Sequence, residues 1–315
     1  MRENIISLIN EITTVDSYEE FLARYSDGIH KTIEEDDKYI AHLGCDRRLF
    51  NLPPGDIKAG FLLDNVVTEG KRKEGIFTNL FREFENENSN LSILYAFPLQ
   101  YELLNLVDKQ DFKIVGEVRI YAKVLDASGV MRGFSALSKI ANFINNIKEK
   151  SRKTDDISNI DVRETLQIPN ASAIYEKIDF KDKWFTKRTE DFISKRVNLH
   201  GEQKFLVASV ECEDKGYIIY KLINRSGINY FMVMDVLYES ERVFEAMLTR
   251  LVEIAKQKNV TLVAVWYNGI YAEALKKLGF SFAKSTIPVV AKSSLDIDLK
   301  NINNWYLQPI EGEIY

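Results

Sequence analysis

The stretch Ile57-Lys58-Ala59-Gly60-Phe61-Leu62-Leu63-Asp64-Asn65-Val66-Val67, then Thr68-Glu69-Gly70-Lys71-Arg72-Lys73-Glu74-Gly75, then Ile76-Phe77, decides how the chain is read. Its first part is apolar and suits a buried strand. The second part is charged and carries Gly70 and Gly75, which suits a turn. From Ile76 onward the pattern is that of an amphipathic helix. A strand that feeds a basic, glycine-containing turn into a helix start is suited to holding phosphate. Unpaired backbone N–H groups and the positive end of the helix dipole converge at one place there.

The flanking residues extend this plan. Tyr39 to Gly44, Arg47 to Phe50 and Ile57 to Val67 read as strands folded about Pro53-Pro54-Gly55-Asp56. Leu91 to Pro98 reads as a buried strand, followed by a short helical segment through Leu106 and by Asp111 to Gly116. The turn Arg72-Lys73-Glu74-Gly75-Ile76-Phe77 resembles the acyl-CoA pyrophosphate loop of the GNAT acyltransferase superfamily, R/Q-x-x-G-x-G/A at a helix start. Arg72 and Gly75 fit that pattern, Phe77 replaces its last small residue, and Glu74 puts a carboxylate where an anion should lie. The order of elements over residues 39–125 is similar to the GNAT core, and in particular to Eis-like and sugar-pathway members.

The second half repeats the first. Asp235 in Phe231-Met232-Val233-Met234-Asp235-Val236 echoes Asp64 at an offset of 235 − 64 = 171, and Phe280 echoes Phe112 at 280 − 112 = 168. Two landmarks with nearly one spacing indicate a repeat of whole-domain size. Between them Val243, Phe244, Met247, Leu248, Leu251, Val252 and Ala255 fall on one helical face, and Thr261 to Tyr267 reads as a buried strand. The run Ala274-Leu275-Lys276-Lys277-Leu278-Gly279-Phe280 is similar to the end of many GNAT domains.

The expected fold is therefore α/β (α+β), with two GNAT-like domains, each a mixed, mostly antiparallel sheet with helices on both faces. Residues 1–125 form the candidate acyl-CoA-binding domain, 126–170 a helical linker, and 171–315 a degenerate second copy. The second copy is read as degenerate because its loop, Leu237 to Val243, holds two glutamates and no glycine occurs between Gly227 and Gly269. Glu34-Glu35-Asp36-Asp37 is expected to be a solvated turn, and the first copy to lack an opening strand.

Bulk properties narrow the partners. With 315 residues, 45% of them hydrophobic, two cores of ordinary size are possible. A formal charge of −5 argues against nucleic acid, whose phosphates demand a concentrated basic surface. No apolar run is long enough to span a membrane, and no signal peptide is implied. Cys45 and Cys212 lie in different copies, so a reducing, cytoplasmic setting is expected. His30, His42 and His200 have no metal-ligand spacing, so no metal is expected, and His42 reads as a satisfied edge or core residue.

The resemblance implies acyl transfer from acetyl-CoA or another acyl-CoA to the amine of a small molecule, such as an amino sugar or nucleotide sugar. It implies that Arg72, Lys73 and Gly75, with the N–H groups of Glu74, Gly75, Ile76 and Phe77, grip the pyrophosphate. Val66 and Val67 would align the pantetheine arm and polarise the thioester carbonyl. Asp64 or Glu69 would be the base. The family's tyrosine acid falls on Val107 and Leu275, so Tyr101 or Tyr95, or water, would replace it. The tail, with Trp305-Tyr306, Glu311 and Glu313, is similar to tails that approach the acceptor site in related tandem proteins, and packing against the domain is the alternative. A catalytically inactive GNAT-fold scaffold is a second reading of the chain, motivated by Val107, Leu275 and Glu74. Aminoacyl transfer from charged tRNA is a third.

Overall fold

The computed structural model describes residues 2–10, 28–98, 107, 110–126, 159–178, 180–199, 203–225, 227–267 and 269–312. Strand β2 (Lys38–Leu52) shows why the first half is a sheet with two different faces. Its Ala41, Leu43 and Cys45 point into one apolar cluster, while the alternate residues His42, Asp46, Arg48 and Phe50 are buried on the other side. Helix α1 (Arg2–Ile9) buries Leu8 and Ile9 in the larger cluster, which also holds Phe50. Strand β1 (Gly28–Glu35) pairs with β2 through a tight hairpin at Asp36-Asp37, both left-handed at φ 51° and 60°. Glu34 and Glu35, expected in a solvated turn, thus belong to a strand, and only the two aspartates make the turn. Among the described residues no strand precedes β1.

Strand β3 (Gly55–Val67) runs antiparallel to β2 along its whole length. A bulge interrupts the register, with Asp64 and Asn65 together opposing Leu43. Helix α2 (Ile76–Glu87) then crosses over to β4 (Ile93–Ala96), which lies parallel to β3 through Ala59–Ile93, Gly60–Leu94 and Phe61–Tyr95. Leu80, Phe81 and Phe84 of α2 pack against Ala41, Leu43 and Cys45. Gly60 is needed for this packing, because a Cβ there would stand 2.6 Å from Cys45 Sγ.

The second half is β8 (Gln203–Val210), β9 (Glu213–Arg225), β10 (Ile228–Tyr238), α5 (Glu241–Gln257), β11 (Leu262–Tyr267), α6 (Ala272–Lys277) and β12 (Ser281–Ser293). Its parallel ladder joins Tyr230–Leu262, Phe231–Val263 and Met232–Ala264. These pairs are the first-half pairs displaced by 230 − 59 = 171 and 262 − 93 = 169 residues. A bulge recurs too, with Met234 as the extra residue of β10. The repeat seen in the sequence is thus a repeat of backbone geometry.

The two copies do not keep separate sheets. One 12-stranded sheet has the order β1-β2-β3-β4-β12-β5-β11-β10-β9-β8-β6, where β5 is Lys113–Val124 and β6 is Asp161–Thr165. Strand β12 of the second copy lies between β4 and β5, while β5 of the first lies between β12 and β11. Each copy therefore completes its sheet with a strand of the other, and separating them would break both ladders. Helices α3 (Ala171–Tyr175) and α4 (Glu190–Leu199) flank a short strand β7 (Phe185–Thr186), which pairs with β2.

Candidate active site

The loop after β3 starts with a short 3-10 turn at Glu69–Lys71 and is exposed from Arg72 to Gly75. Lys73 and Gly75 both have left-handed backbone, at φ 72° and 80°. Arg72 before them is extended (φ −69°, ψ 150°), and Gly75 leads directly into the next helix. Gly75 is the N-cap of α2, offers no side-chain cap, and is followed by a first turn without acidic residues. A Cβ built on Gly75 meets no described atom within 4 Å. The helix start is therefore uncapped by a side chain and open beside its glycine, which suits a diphosphate.

The charged side chains of the loop are partly engaged. Nε of Arg72 donates to the carbonyl of Val67 at 3.0 Å, tying the loop to the end of β3. Lys71 pairs with Glu35 of β1 at 2.6 Å, an exposed contact of small energetic weight. Glu69 and Glu74 are exposed.

Upstream of this loop, β3 and β4 part. Their ladder ends at Phe61–Tyr95, while β3 continues beside β2 to Val67. Val66 is buried and Val67 half-buried along this diverging segment. Asp64 sits in the bulge with φ 52°, a conformation that costs a non-glycine residue about 1 kcal/mol and needs support from its surroundings. That support is visible. His42 Nδ1 lies 2.7 Å from the Asp64 carbonyl, and the Asn65 side-chain oxygen accepts from Gly44 N at 3.1 Å. His42 in turn meets His30 of β1, Nε2 to Nδ1, at 3.3 Å. His42 is indeed a satisfied buried residue, yet the pair it forms with His30 was not signalled by any spacing in the sequence.

On the same face of β2 a closed ionic group begins. Asp46 accepts from Arg48 at 2.9 Å and from Arg196 of α4 at 2.8 Å. Arg188 grips Asp235 through Nε at 3.0 Å and Glu311 at 2.8 Å. Glu311 also takes hydrogen bonds from Tyr95 at 2.9 Å and Thr186 at 3.0 Å, and its carbonyl accepts from Arg48 at 2.7 Å. All six charged residues are fully buried, three arginines against three carboxylates, so the group is neutral as a whole. Burial pushes the Asp235 carboxyl up, against the pull of Arg188. Burial likewise raises the Tyr95 phenol well above its ordinary value, and its hydroxyl is enclosed by Arg48, Thr186 and Glu311. A phenol held that way is a poor proton donor to a thiolate.

The second copy's cleft is filled by the protein itself. Where β10 and β11 part, the Tyr306 hydroxyl donates to the carbonyl of Val236 and the Tyr271 hydroxyl to that of Trp266. Gln308 donates to Tyr271 at 3.0 Å, and the Phe244 ring lies tilted against Tyr271 with centroids 4.6 Å apart. The tail therefore packs where β10 and β11 part. Helix α5 begins at an extended Ser240, and Glu241 in its first turn caps α6 through Ala274 N at 3.1 Å.

Among the residues expected from the sequence, Val66, Val67, Arg72, Lys73, Glu74, Gly75, Ile76 and Phe77 form one continuous strand end, loop and helix start, with Asp64 and Glu69 at its near side. Tyr101 and Glu313 lie outside the described residues. Val107 and Leu275 are buried aliphatic residues. Glu311 is sealed in the ionic group.

No family model matches the sequence, and no curated protein does. Solved structures do match. A probable N-acyltransferase of Enterococcus faecalis V583 is similar over 92% of this chain and 68% of its own, with TM-score 0.68 and 12% identity. Eis1 from Mycobacterium abscessus is similar over 93% and 71%, with TM-score 0.60 and 12% identity. N-myristoyltransferase of Saccharomyces cerevisiae, solved with bound myristoyl-CoA, is similar over 97% and 86%, with TM-score 0.60 and 11% identity. Likeness at such low identity shows the fold alone: the chain has the GNAT-like α/β fold of these structures.

Proposed function

We propose that the chain is an acyl-CoA-dependent N-acyltransferase, with acetyl-CoA as donor and the amine of a small molecule, such as an amino sugar or nucleotide sugar, as acceptor. The observation that carries this is the first cleft: β3 leaves β4 just before a loop whose left-handed Lys73 and Gly75 lead into an uncapped helix. The acceptor class rests on the resemblance to Eis-like and sugar-pathway members.

Acyl-CoA supplies an activated thioester. The N–H groups of Glu74, Gly75, Ile76 and Phe77 hold its diphosphate, with Lys73 and Arg72 beside them. The backbone of Val66 and Val67, past the end of the β3–β4 ladder, aligns the pantetheine arm and polarises the carbonyl oxygen. Proton removal from the amine falls to the polar group at the bulge, of which Asp64 is the member expected from sequence. Glu69 stands exposed on the turn beyond it.

Calorimetry with acetyl-CoA and CoA tests the reading. Wild type binds both, and Arg72→Glu combined with Gly75→Trp weakens binding more than tenfold, about 1.4 kcal/mol. Absent binding to wild type, or equal binding to the double variant, overturns the cofactor assignment. A GNAT-fold binding protein without turnover is the second reading, favoured by the buried aliphatic Val107 and Leu275 at the acid position. Binding without thiol release for any amine would decide for it.

A further inference from the structure

The wedge that opens between β3 and β4 has aromatic rings at its apex. Phe61 and Tyr95 are the last pair of the ladder, and their rings lie 5.1 Å apart between centroids. Phe97 follows Tyr95 by two residues, so it shares that side of the sheet. Its ring lies 5.1 Å from Phe61 and meets Trp266 edge-on at 5.4 Å. Phe61, Phe97 and Trp266 are all buried in the larger cluster, on the face opposite Leu80, Phe81 and Phe84 of α2.

These rings have little freedom to move. The Arg48 guanidinium lies over the Phe61 ring at 4.3 Å, and it is itself held by Asp46, Tyr95 and the Glu311 carbonyl. Trp266 belongs to β11, between β10 and β5, so the second copy backs the apex with a strand that is paired on both edges. Close-packed rings on fixed elements do not yield to an extra methylene without cost.

The direction of the chain brings an acyl group to the same place. The loop proposed to hold the diphosphate begins just after Val67, so an arm laid along Val67 and Val66 runs from that loop back toward the apex. Continuing the Phe61–Tyr95 register by two residues sets Phe97 against Leu63, next to the bulge that precedes Val66. An acyl group on a thioester at Val66 and Val67 therefore extends toward Phe97.

We infer that Phe97, backed by Phe61 and by Trp266 of the second copy, ends the acyl pocket and restricts the donor to short acyl groups, acetyl or propionyl. The inference rests on the acyl-transfer reading and assigns the acyl class of its donor. It also gives the second copy a part in the first copy's site.

Calorimetry on the full chain with CoA, acetyl-CoA and hexanoyl-CoA tests this without an acceptor. Each methylene that enters an apolar pocket tightens binding about fourfold, so a pocket open to the longer chain would favour hexanoyl-CoA over acetyl-CoA by about 100-fold or more. Wild type is expected to bind hexanoyl-CoA within about threefold of acetyl-CoA, or more weakly. Phe97→Ala vacates the place of one ring and is expected to bind hexanoyl-CoA at least about tenfold more tightly than acetyl-CoA. Trp266→Phe is a milder cut that orphans no partner, because Trp266 Nε1 makes no hydrogen bond. It is expected to shift the same ratio by about fourfold, and it decides the matter if Phe97→Ala does not fold. A ratio of two ligands on one sample is unmoved by a fraction of unfolded protein, so a purely structural role leaves it at the wild-type value. Hexanoyl-CoA more than about tenfold tighter than acetyl-CoA on wild type overturns the inference. An unchanged ratio in the folded variants does the same, and both results leave acyl transfer standing. Acetyl-CoA and CoA without binding to wild type overturn the acyl-transfer reading, and this inference with it.

Discussion

The two places where parallel strands part share one backbone and differ in the side chains described around them. In the first copy β3 leaves β4 after Phe61–Tyr95, and the next helix starts at an uncapped left-handed glycine. In the second, β10 leaves β11 after Met232–Ala264, and the freed carbonyls of Val236 and Trp266 are taken by the hydroxyls of Tyr306 and Tyr271. The glutamates show the same divide. Both Glu74 and Glu241 are exposed, but only Glu241 is seen to cap a helix, accepting from Ala274 N of α6. The two copies share a main-chain path, and the side chains set around it differ.

The largest test strikes the closure of the second cleft. Glu311→Ala removes one of three buried carboxylates and leaves Arg188 without its tail partner, so a loss of roughly 3–5 kcal/mol in urea unfolding is expected. A loss under about 1 kcal/mol would mean that the tail is not held by this group, and the contrast between the copies would weaken.

A smaller effect belongs to the first copy alone. His42 is held at about 4 in the folded state against 6.5 unfolded, so the unfolded chain binds the extra proton in between. Stability present above pH 6.5 is then lost as pH falls through about 4, by on the order of 3 kcal/mol for this buried ring. Tm measured against pH for wild type and His42→Gln checks it, and parallel curves between those limits would refute the neutral buried pair.

The smallest effect sharpens the comparison at the loops. Glu74→Gln should tighten acetyl-CoA binding by a few tenths to about 1 kcal/mol at low ionic strength, because an exposed carboxylate acts weakly. The gain should vanish near 1 M salt, where the Debye length is about 3 Å. Glu241→Gln should leave acetyl-CoA affinity unchanged. If the two variants respond alike, the seat is not where α2 begins.

Much of this was readable in the residues. The change from a continuous apolar run at Ile57–Val67 to helical spacing after Gly75 marks strand, turn and helix without tertiary help. Strand β1 leaves little trace in the sequence because Gly28–Glu35 is half polar and forms the sheet's edge, where burial does not impose a clean alternation. The exchange of β5 and β12 leaves no local trace either, since a strand's pattern records that both faces are covered and not which neighbour pairs with it.

The ionic group and the histidine pair were harder still. Asp46, Arg48, Arg188, Arg196, Asp235 and Glu311 each resemble ordinary surface charges in sequence, and Arg48 meets Glu311 across 263 positions. Burial of a charge is tolerated only when a partner is present, and partners so distant are named by the folded chain alone.

By itself, then, the amino-acid order determined the strand–turn–helix units and their duplication, because these depend on periodicity and on glycine's freedom at positive φ. The tertiary structure decided where the tail packs, which charges are buried and which histidines meet. Those outcomes depend on contacts between residues far apart in the chain, where desolvation makes each polar group's state a property of its neighbours.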